Sequence, residues 1–268
     1  MDFWKMNGNG NDFVVIHDME GLSDEYLSIM AKRVCRRRRS IGADGLLVAS
    51  FSHRHDFRMR IFNADGSEAE MCGNGARCMA RFASEMGFAD ARMTFETGAG
   101  VVSAWVEGPF VWLDMGIFGE GPIWSGSVDV SERTVPADLR VIGVPHVVIY
   151  AGDPDNLNRD DMRRWGRTLR YDERFGPQGA NVNFSWRIED SSLRVVTYER
   201  GVEDLTDSCG TGSVAAALSA LERFCEMTSP VIVHNAGGIN RVEVDRSGRV
   251  LLGGETAVIA KGSIEAEA

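Results

Sequence analysis

Apolar and polar positions alternate along much of this chain, and four stretches break into helical spacing. Asp12 to Ile16 and Asp44 to Phe51 read as strands, with a helix from about Ser23 to Arg37 between them. Ser23 suits an N-cap, because its hydroxyl can accept from a helix N–H that has no carbonyl partner. Leu27, Met30, Ala31 and Val34 then supply one apolar stripe. Phe57 to Asn63 predicts a further strand, followed by a polar loop and a helix from Cys72 to about Gly87. Short alternating runs at Met93 to Phe95, Val101 to Val106 and Phe110 to Met115 complete a sheet-rich half.

Residues 116–137 are rich in Gly, Pro and Ser and predict a connection between domains. Strands at about 139–150, 181–188 and 193–199 then surround a helix at about 160–170, and a second polar loop leads to a helix over 210–226. Strands at about 231–234, 241–245, 249–252 and 256–260 follow, with Asp245-Arg246-Ser247-Gly248 as a hairpin turn. The tail after Gly262 is expected to fray. The expected domains are residues 1–115 and 116–268, with the last strand, about 255–265, packing back on the first.

The two halves share one device. Cys72-Gly73-Asn74-Gly75 and Cys209-Gly210-Thr211-Gly212 each follow a strand and a polar loop, and each opens a helix. A thiol at a helix N-terminus meets the positive end of the macrodipole, which favours thiolate. The glycines let backbone N–H groups approach an anion closely. Two such thiols suggest a sulfur on each side of a bound carboxylate compound, as a racemase or epimerase requires. Inverting a carbon means removing its proton on one face and returning one on the other, and two bases need not move. A redox protein cycling both thiols through a disulfide is the reading from another class.

Composition narrows the setting. The chain is 44% hydrophobic and 25% charged, as ordinary globular proteins are. A net charge of −10 argues against nucleic acid as a partner. No apolar run reaches the roughly 18 residues of a membrane span, and no signal-peptide pattern opens the chain. Five scattered cysteines suit a reducing compartment, so the cytoplasm is expected. Arg36 to Arg39 reads as the solvated basic end of the first helix. Cys35, Cys78 and Cys225 fall within helical segments and read as core residues. His53 and His55 fall in a polar turn between strands, and no cysteine pair has zinc-site spacing, so no metal is expected.

Larger motifs point to a family. Asn9-Gly10-Asn11-Asp12-Phe13, Ile41-Gly42-Ala43-Asp44-Gly45, Phe62 to Glu68 and Met71 to Cys78 resemble diaminopimelate epimerases. So do Pro145-His146, Asn181-Val182-Asn183-Phe184, Tyr198-Glu199-Arg200-Gly201 and the second Cys-Gly turn, all in the family's order. The resemblance implies a mixed α/β (α+β) fold of two pseudo-symmetric domains, each a mostly antiparallel sheet curled around a central helix. It implies homodimers, a small amino-acid substrate and no cofactor. The reaction would convert LL-diaminopimelate to the meso form, with Cys72 and Cys209 as thiolate and thiol. By analogy, Cys72 takes the proton from the LL form.

Asn11, Asn63, Asn181, Glu199 and Arg200 match positions that hold the substrate's amino and carboxylate groups, and His146 matches an active-site histidine. The backbone at Gly73-Asn74 and Gly210-Thr211 would bind a carboxylate and stabilise charge developing on it. Val144 stands where many members carry Asn in Gly-Asn-Pro-His. That departure keeps open a related cofactor-independent racemase acting on, for example, lysine or histidine.

Overall fold

A computed structural model describes residues 1–18, 20–119, 121–130, 133–152 and 157–265. Its contacts divide the chain into two units, Met1–Met115 with the segment from Gly253 onward, and Gly116–Leu252.

In the first unit, β1 (Asp2–Gly8) turns through Asn9-Gly10 into antiparallel β2 (Asn11–Asp18). Both turn residues have positive φ, 48° and 92°, as a two-residue hairpin turn of this hand requires. β1 is absent from the sequence-based expectation, although Asn-Gly is the residue pair that announces such a hairpin. Helix α1 (Asp24–Val34) crosses over to β3 (Gly45–Ser50), which runs parallel to β2. Ser23 caps α1 by accepting from the Tyr26 N–H at 3.2 Å. The helix stops at Val34, before the expected Arg37, and Arg38 lies in the left-handed region (φ 68°). β4 (Phe57–Asn63) is antiparallel to β3, and β5 (Glu68–Ala69) folds back on β4. Helix α2 (Gly73–Met86) ends at Gly87 in left-handed geometry. β6 (Arg92–Thr97) then runs parallel to β4, and β7 (Gly100–Glu107) and β8 (Phe110–Ile117) continue antiparallel.

The strands place apolar groups on two faces. Phe13 and Val15 join Met6, Leu47, Met59, Phe95 and Leu113 around Ala76, Met79, Ala80, Phe82 and Ala83 of α2. Val14 and Ile16, pointing the other way, pack with Leu46 and Val48 against Leu27, Met30, Ala31 and Val34 of α1. β2 is therefore covered on both sides, which is why its residues 13–16 are all apolar. α2 also buries Arg77 and Cys78, so it is enclosed rather than laid on one face.

The second unit repeats this order. β9 (Trp124–Val130) precedes β10 (Arg133–Ile142) and β11 (Val144–Tyr150), an antiparallel series. Helix α3 (Arg159–Arg170) leads to β12 (Asn181–Glu189), parallel to β11. β13 (Ser192–Glu199) and β14 (Asp204–Thr206) are antiparallel neighbours. Helix α4 (Gly210–Arg223) follows, then β15 (Val231–Asn235), parallel to β13, and antiparallel β16 (Gly238–Val244). Strand for strand, β10 to β16 reproduces β1 to β7, with α3 and α4 at the places of α1 and α2. Ala215, Ala216, Ala217 and Ala220 make α4 slim enough to bury against six strands, β10 to β13, β15 and β16.

β17 (Arg249–Ser263) begins in the second unit and ends in the first, where its residues from Thr256 to Ser263 pair antiparallel with β1.

Several expectations need correction. The expected connection over 116–137 contains β9 and the start of β10: Val128 and Val130 of β9 are buried, while Ser125, Gly126 and Ser127 before them are exposed; residues 120, 131 and 132 lie outside the description. The expected single strand at 139–150 is a tight hairpin pivoting at Gly143 (φ 70°). The two last expected strands are one, β17, which passes through Gly253-Gly254 where a side chain would strike Phe110 and Arg77. The tail is ordered through Ile264, whose N–H donates to the Met1 carbonyl, and residues 266–268 lie outside the description. α4 ends at Arg223, so Cys225 is exposed beyond the helix and not a core residue.

Candidate active site

Both Cys-Gly helices start in the same geometry. Cys72 caps α2 in extended backbone, and its Sγ accepts from the Gly75 N–H at 3.5 Å. Cys209 caps α4 likewise, accepting from the Gly212 N–H at 3.4 Å, with Thr211 Oγ1 also 3.5 Å from the sulfur. A sulfur standing where serine or aspartate usually caps receives an N–H hydrogen bond and the dipole's positive end, and both favour its anion. Gly73 and Asn74, and Gly210 and Thr211, are the first residues of these helices. Their N–H groups have no carbonyl partner in their own helix and are suited to an anion. Cys209 is buried and Cys72 half-buried. Burial holds the other core thiols up, Cys35 at about 11 and Cys78 at about 12, which leaves them inert.

Around Cys72 the structure gathers part of the expected set. Asn74 is buried, and its Nδ2 donates to Asn11 Oδ1 at 2.6 Å. Asn11 Nδ2 donates to Asp44 Oδ2 at 3.3 Å. Asn63 closes β4 and is exposed, its Nδ2 donating to Ser67 Oγ at 2.9 Å. Arg37 belongs to the run expected to be a solvated helix end, yet it bonds Asp12 at 2.6 Å and Asp44 at 2.8 Å. Burial pushes the Asp12 carboxyl up, but hydrogen bonds from Arg37 and Lys5 outweigh it and hold the group at about 2.

Around Cys209 the strand register does the gathering. His146 on β11 stands beside Asn181 on β12, and Asn183, two residues on, stands beside Thr197 on β13. His146 is fully buried between two amides: Asn183 Nδ2 lies 3.2 Å from Nδ1 and Asn181 Nδ2 lies 3.5 Å from Nε2. Burial and the nearby Arg200 charge hold the imidazole at about 3, so it is neutral. Asn181 Oδ1 accepts from the Arg200 N–H at 2.7 Å, and Thr197 donates to Asn183 Oδ1 at 2.9 Å. Glu199 ends β13, as Asn63 ends β4. Burial raises its carboxyl, partly offset by the Thr206 hydroxyl. The Arg200 guanidinium is 3.4 Å from Gln178 Oε1 at the surface. His53 and His55 lie in the loop after β3, with His55 Nδ1 3.1 Å from Thr94 Oγ1.

Asp12, Asp44, Asn183 and Thr197 in these clusters, and Arg77, whose Nη2 donates to Asn74 Oδ1, carry no role in the sequence reading. Asn-Val-Asn offered a signal, since alternate residues of a strand share a face. A charged Arg77 inside an apolar helical stripe offered another.

A family model described as diaminopimelate epimerase matches residues 3–117 and 140–258. The chain belongs to the diaminopimelate epimerase family. Among its relatives, the diaminopimelate epimerase of Archaeoglobus fulgidus is 40% identical, over 96% of this chain and 94% of that one. The protein of the same name from Methanocella arvoryzae is 42% identical, covering 88% of this chain and 87% of its own. In fold, the chain is similar to the crystal structure of a Bacillus anthracis phenazine biosynthesis protein of the PhzF family. That match has a TM-score of 0.69, 15% identity and 99% coverage of both chains. The α+β fold expected from the family resemblance is the fold found, and no helix among the described residues is long and apolar enough to cross a membrane.

Proposed function

We infer that this protein is an isomerase that interconverts LL- and meso-diaminopimelate. Family membership over nearly the whole chain supports the substrate, and the doubled thiol cap supports the chemistry. The doubled cap is the observation that carries the reading. A binding module would have no use for a second thiol held at a second helix N-terminus.

In this reading, one thiolate removes the proton from the reacting α-carbon and becomes a thiol. The electron pair left on carbon spreads into the adjacent carboxylate, where the N–H groups of Gly73-Asn74 and Gly210-Thr211 stabilise it. The other cysteine gives its proton to the opposite face and becomes the thiolate, ready for the reverse reaction. No cofactor takes part. Cys72 takes the proton from the LL form and Cys209 from the meso form. Asn11, Asn63 and Asn181 hold the substrate's polar ends, Arg200 pairs with a carboxylate, and Glu199 accepts from an ammonium group. A cation brought against Glu199 favours its ionised form, against the effect of burial. His146, neutral and enclosed, acts by holding Asn181. The reading also includes a homodimer in the cytoplasm, where both thiols stay reduced.

The test is α-proton exchange in deuterated buffer with reductant, offering LL-diaminopimelate, L-lysine and L-histidine separately. Exchange is expected with diaminopimelate alone, and Cys72→Ala and Cys209→Ala should each lose at least about 1000-fold in turnover. Exchange only with lysine or histidine would reassign the substrate and direct attention to Val144. Full activity in either variant would refute the two-base assignment.

A further inference from the structure

Among the described residues Arg77 is the largest fully buried side chain, and it lies one turn into α2 from the Cys72 cap. A guanidinium almost always stays charged, so enclosing one is costly and demands an explanation. Its surroundings supply little compensation. Nη2 donates to Asn74 Oδ1 at 2.6 Å, while Nε and Nη1 have no hydrogen-bond partner among the described residues. Among the described residues no carboxylate forms an ion pair with it. The group sits against Gly254 of β17, where a Cβ would lie 3.0 Å from Cζ and Nε and 3.1 Å from Nη2. Space has been cleared for the guanidinium, yet among the described residues it makes a single hydrogen bond.

That single bond has a direction that carries outward. Arg77 can only donate, so Asn74 must turn its oxygen inward. The Asn74 nitrogen then donates to Asn11 Oδ1 at 2.6 Å, and the Asn11 nitrogen donates to Asp44 Oδ2 at 3.3 Å. Asp44, a carboxylate, can only accept, and Arg37 holds it at 2.8 Å from outside. A donor-only group at one end and an acceptor-only group at the other permit one arrangement of the two amides between them. In that arrangement each amide oxygen is turned toward a donor of the protein, and each amide nitrogen keeps one N–H beyond the bond it makes in the chain. N–H groups presented in this way suit an anion.

We propose that Arg77 is a positioning residue for substrate carboxylate recognition, holding Asn74 and Asn11 in the amide orientation that leaves one N–H of each uncommitted. The proposal rests on the reading above that Asn11 and the backbone of Asn74 contact substrate, and extends it to the Asn74 side chain. It explains why a buried cation is kept beside the first turn of α2 although an apolar side chain would suit the core better.

A double-mutant cycle with diaminopimelate tests it, using Arg77→Met, Asn74→Ala and the pair, with folding checked by circular dichroism. Losing a hydrogen bond to a charged group should raise KM about 10- to 100-fold in Arg77→Met, with kcat within about threefold. In the Asn74→Ala background the Arg77 change should add nothing, because its effect passes through that amide. An unchanged KM in Arg77→Met, or effects that simply add, would overturn the proposal. So would a loss confined to kcat, which would mark a role in shaping the thiol's helix. If Asn74→Ala alone leaves KM unchanged, the side-chain contact of Asn74 is what fails and the proposal with it, while the backbone contact of the reading above stands. Should Arg77→Met not fold, Arg77→Lys carries the measurement, since it keeps a donor and the charge. Its KM should rise about three- to tenfold and show the same non-additivity, and a wild-type KM or additive effects would again overturn the proposal.

Discussion

His146 shows how burial decides what a residue can do. Its imidazole is held at about 3 against an ordinary 6.5, so it does not exchange protons near neutral pH. Between those values the unfolded chain takes up a proton that the folded protein refuses. The stabilisation is therefore complete above about pH 6.5 and is lost as pH falls toward about 3, at no more than about 1.4 kcal/mol per pH unit for one proton. Urea denaturation of wild type and His146→Gln at pH values of about 7 and 5 checks this. Wild type should lose more stability on acidification than the variant, and equal losses would mean that His146 is already protonated in the folded protein. At this scale the two thiols proposed to react were legible, because Cys72 and Cys209 announce themselves by their glycines. Their partners were not. Asn74 and Asn11 are 63 positions apart, and no local pattern says that one amide donates to the other.

At the scale of the element, the helices that carry the two thiols look alike in sequence but differ in what lies under their third residue. A Cβ on Gly212 would come within 2.3 Å of Asn183 Oδ1 and 3.0 Å of Thr197 Oγ1, both fixed in a buried hydrogen-bond network. On Gly75 its two nearest neighbours would be the Leu47 methyl at 3.2 Å and the Met59 methyl at 3.5 Å, the ends of side chains that can shift, with Cys72 Cβ in ordinary contact at 3.6 Å. Glycine to alanine usually favours a helix by up to about 1 kcal/mol. Here Gly212→Ala should instead lose about 1–3 kcal/mol through overpacking, while Gly75→Ala stays within about 1 kcal/mol of wild type. Urea midpoints decide, and equal losses at both positions would show that the shared cap geometry, not the packing beneath it, sets the cost. Helix starts were readable from Ser23 and the two Cys-Gly turns. α1 and α4 ended early for reasons outside their own periodicity. Arg38 takes a left-handed conformation in a segment whose Arg37 is drawn to Asp12 and Asp44, and α4 gives way to extended backbone at Phe224.

For the whole molecule, β17 is the segment on which the division into units turns. Its second part pairs with β1 from Gly8↔Thr256 to Asp2↔Ser263, and β1 carries Trp4 and Met6 into the core around α2. A chain ending at residue 252 should therefore lose order in the first unit while the second keeps its own strand order and core. Residue-resolved hydrogen exchange would show this as lost protection over β1, β2 and α2 with protection retained over β12, β13 and α4. Undiminished protection in β1 would mean that its pairing with β2 alone suffices. The repeat itself was visible as two strand–loop–Cys-Gly–helix units, but its extent was not. The match of β10 to β16 with β1 to β7 emerges only when pairing is known, since β9 and the start of β10 hide in a Gly- and Ser-rich stretch that reads as a linker.

What sequence alone determined here is local or repeated: helix spacing, the caps, both thiols and the family. Each depends on residues a few positions apart, so spacing along the chain carries the information. What only tertiary structure decided is which distant groups meet and in what polarity. The neutrality of His146, the direction of the Arg77–Asn74–Asn11–Asp44 chain and the return of β17 to β1 all depend on burial and strand register. Those are properties of packing, and an isolated stretch of sequence does not carry them.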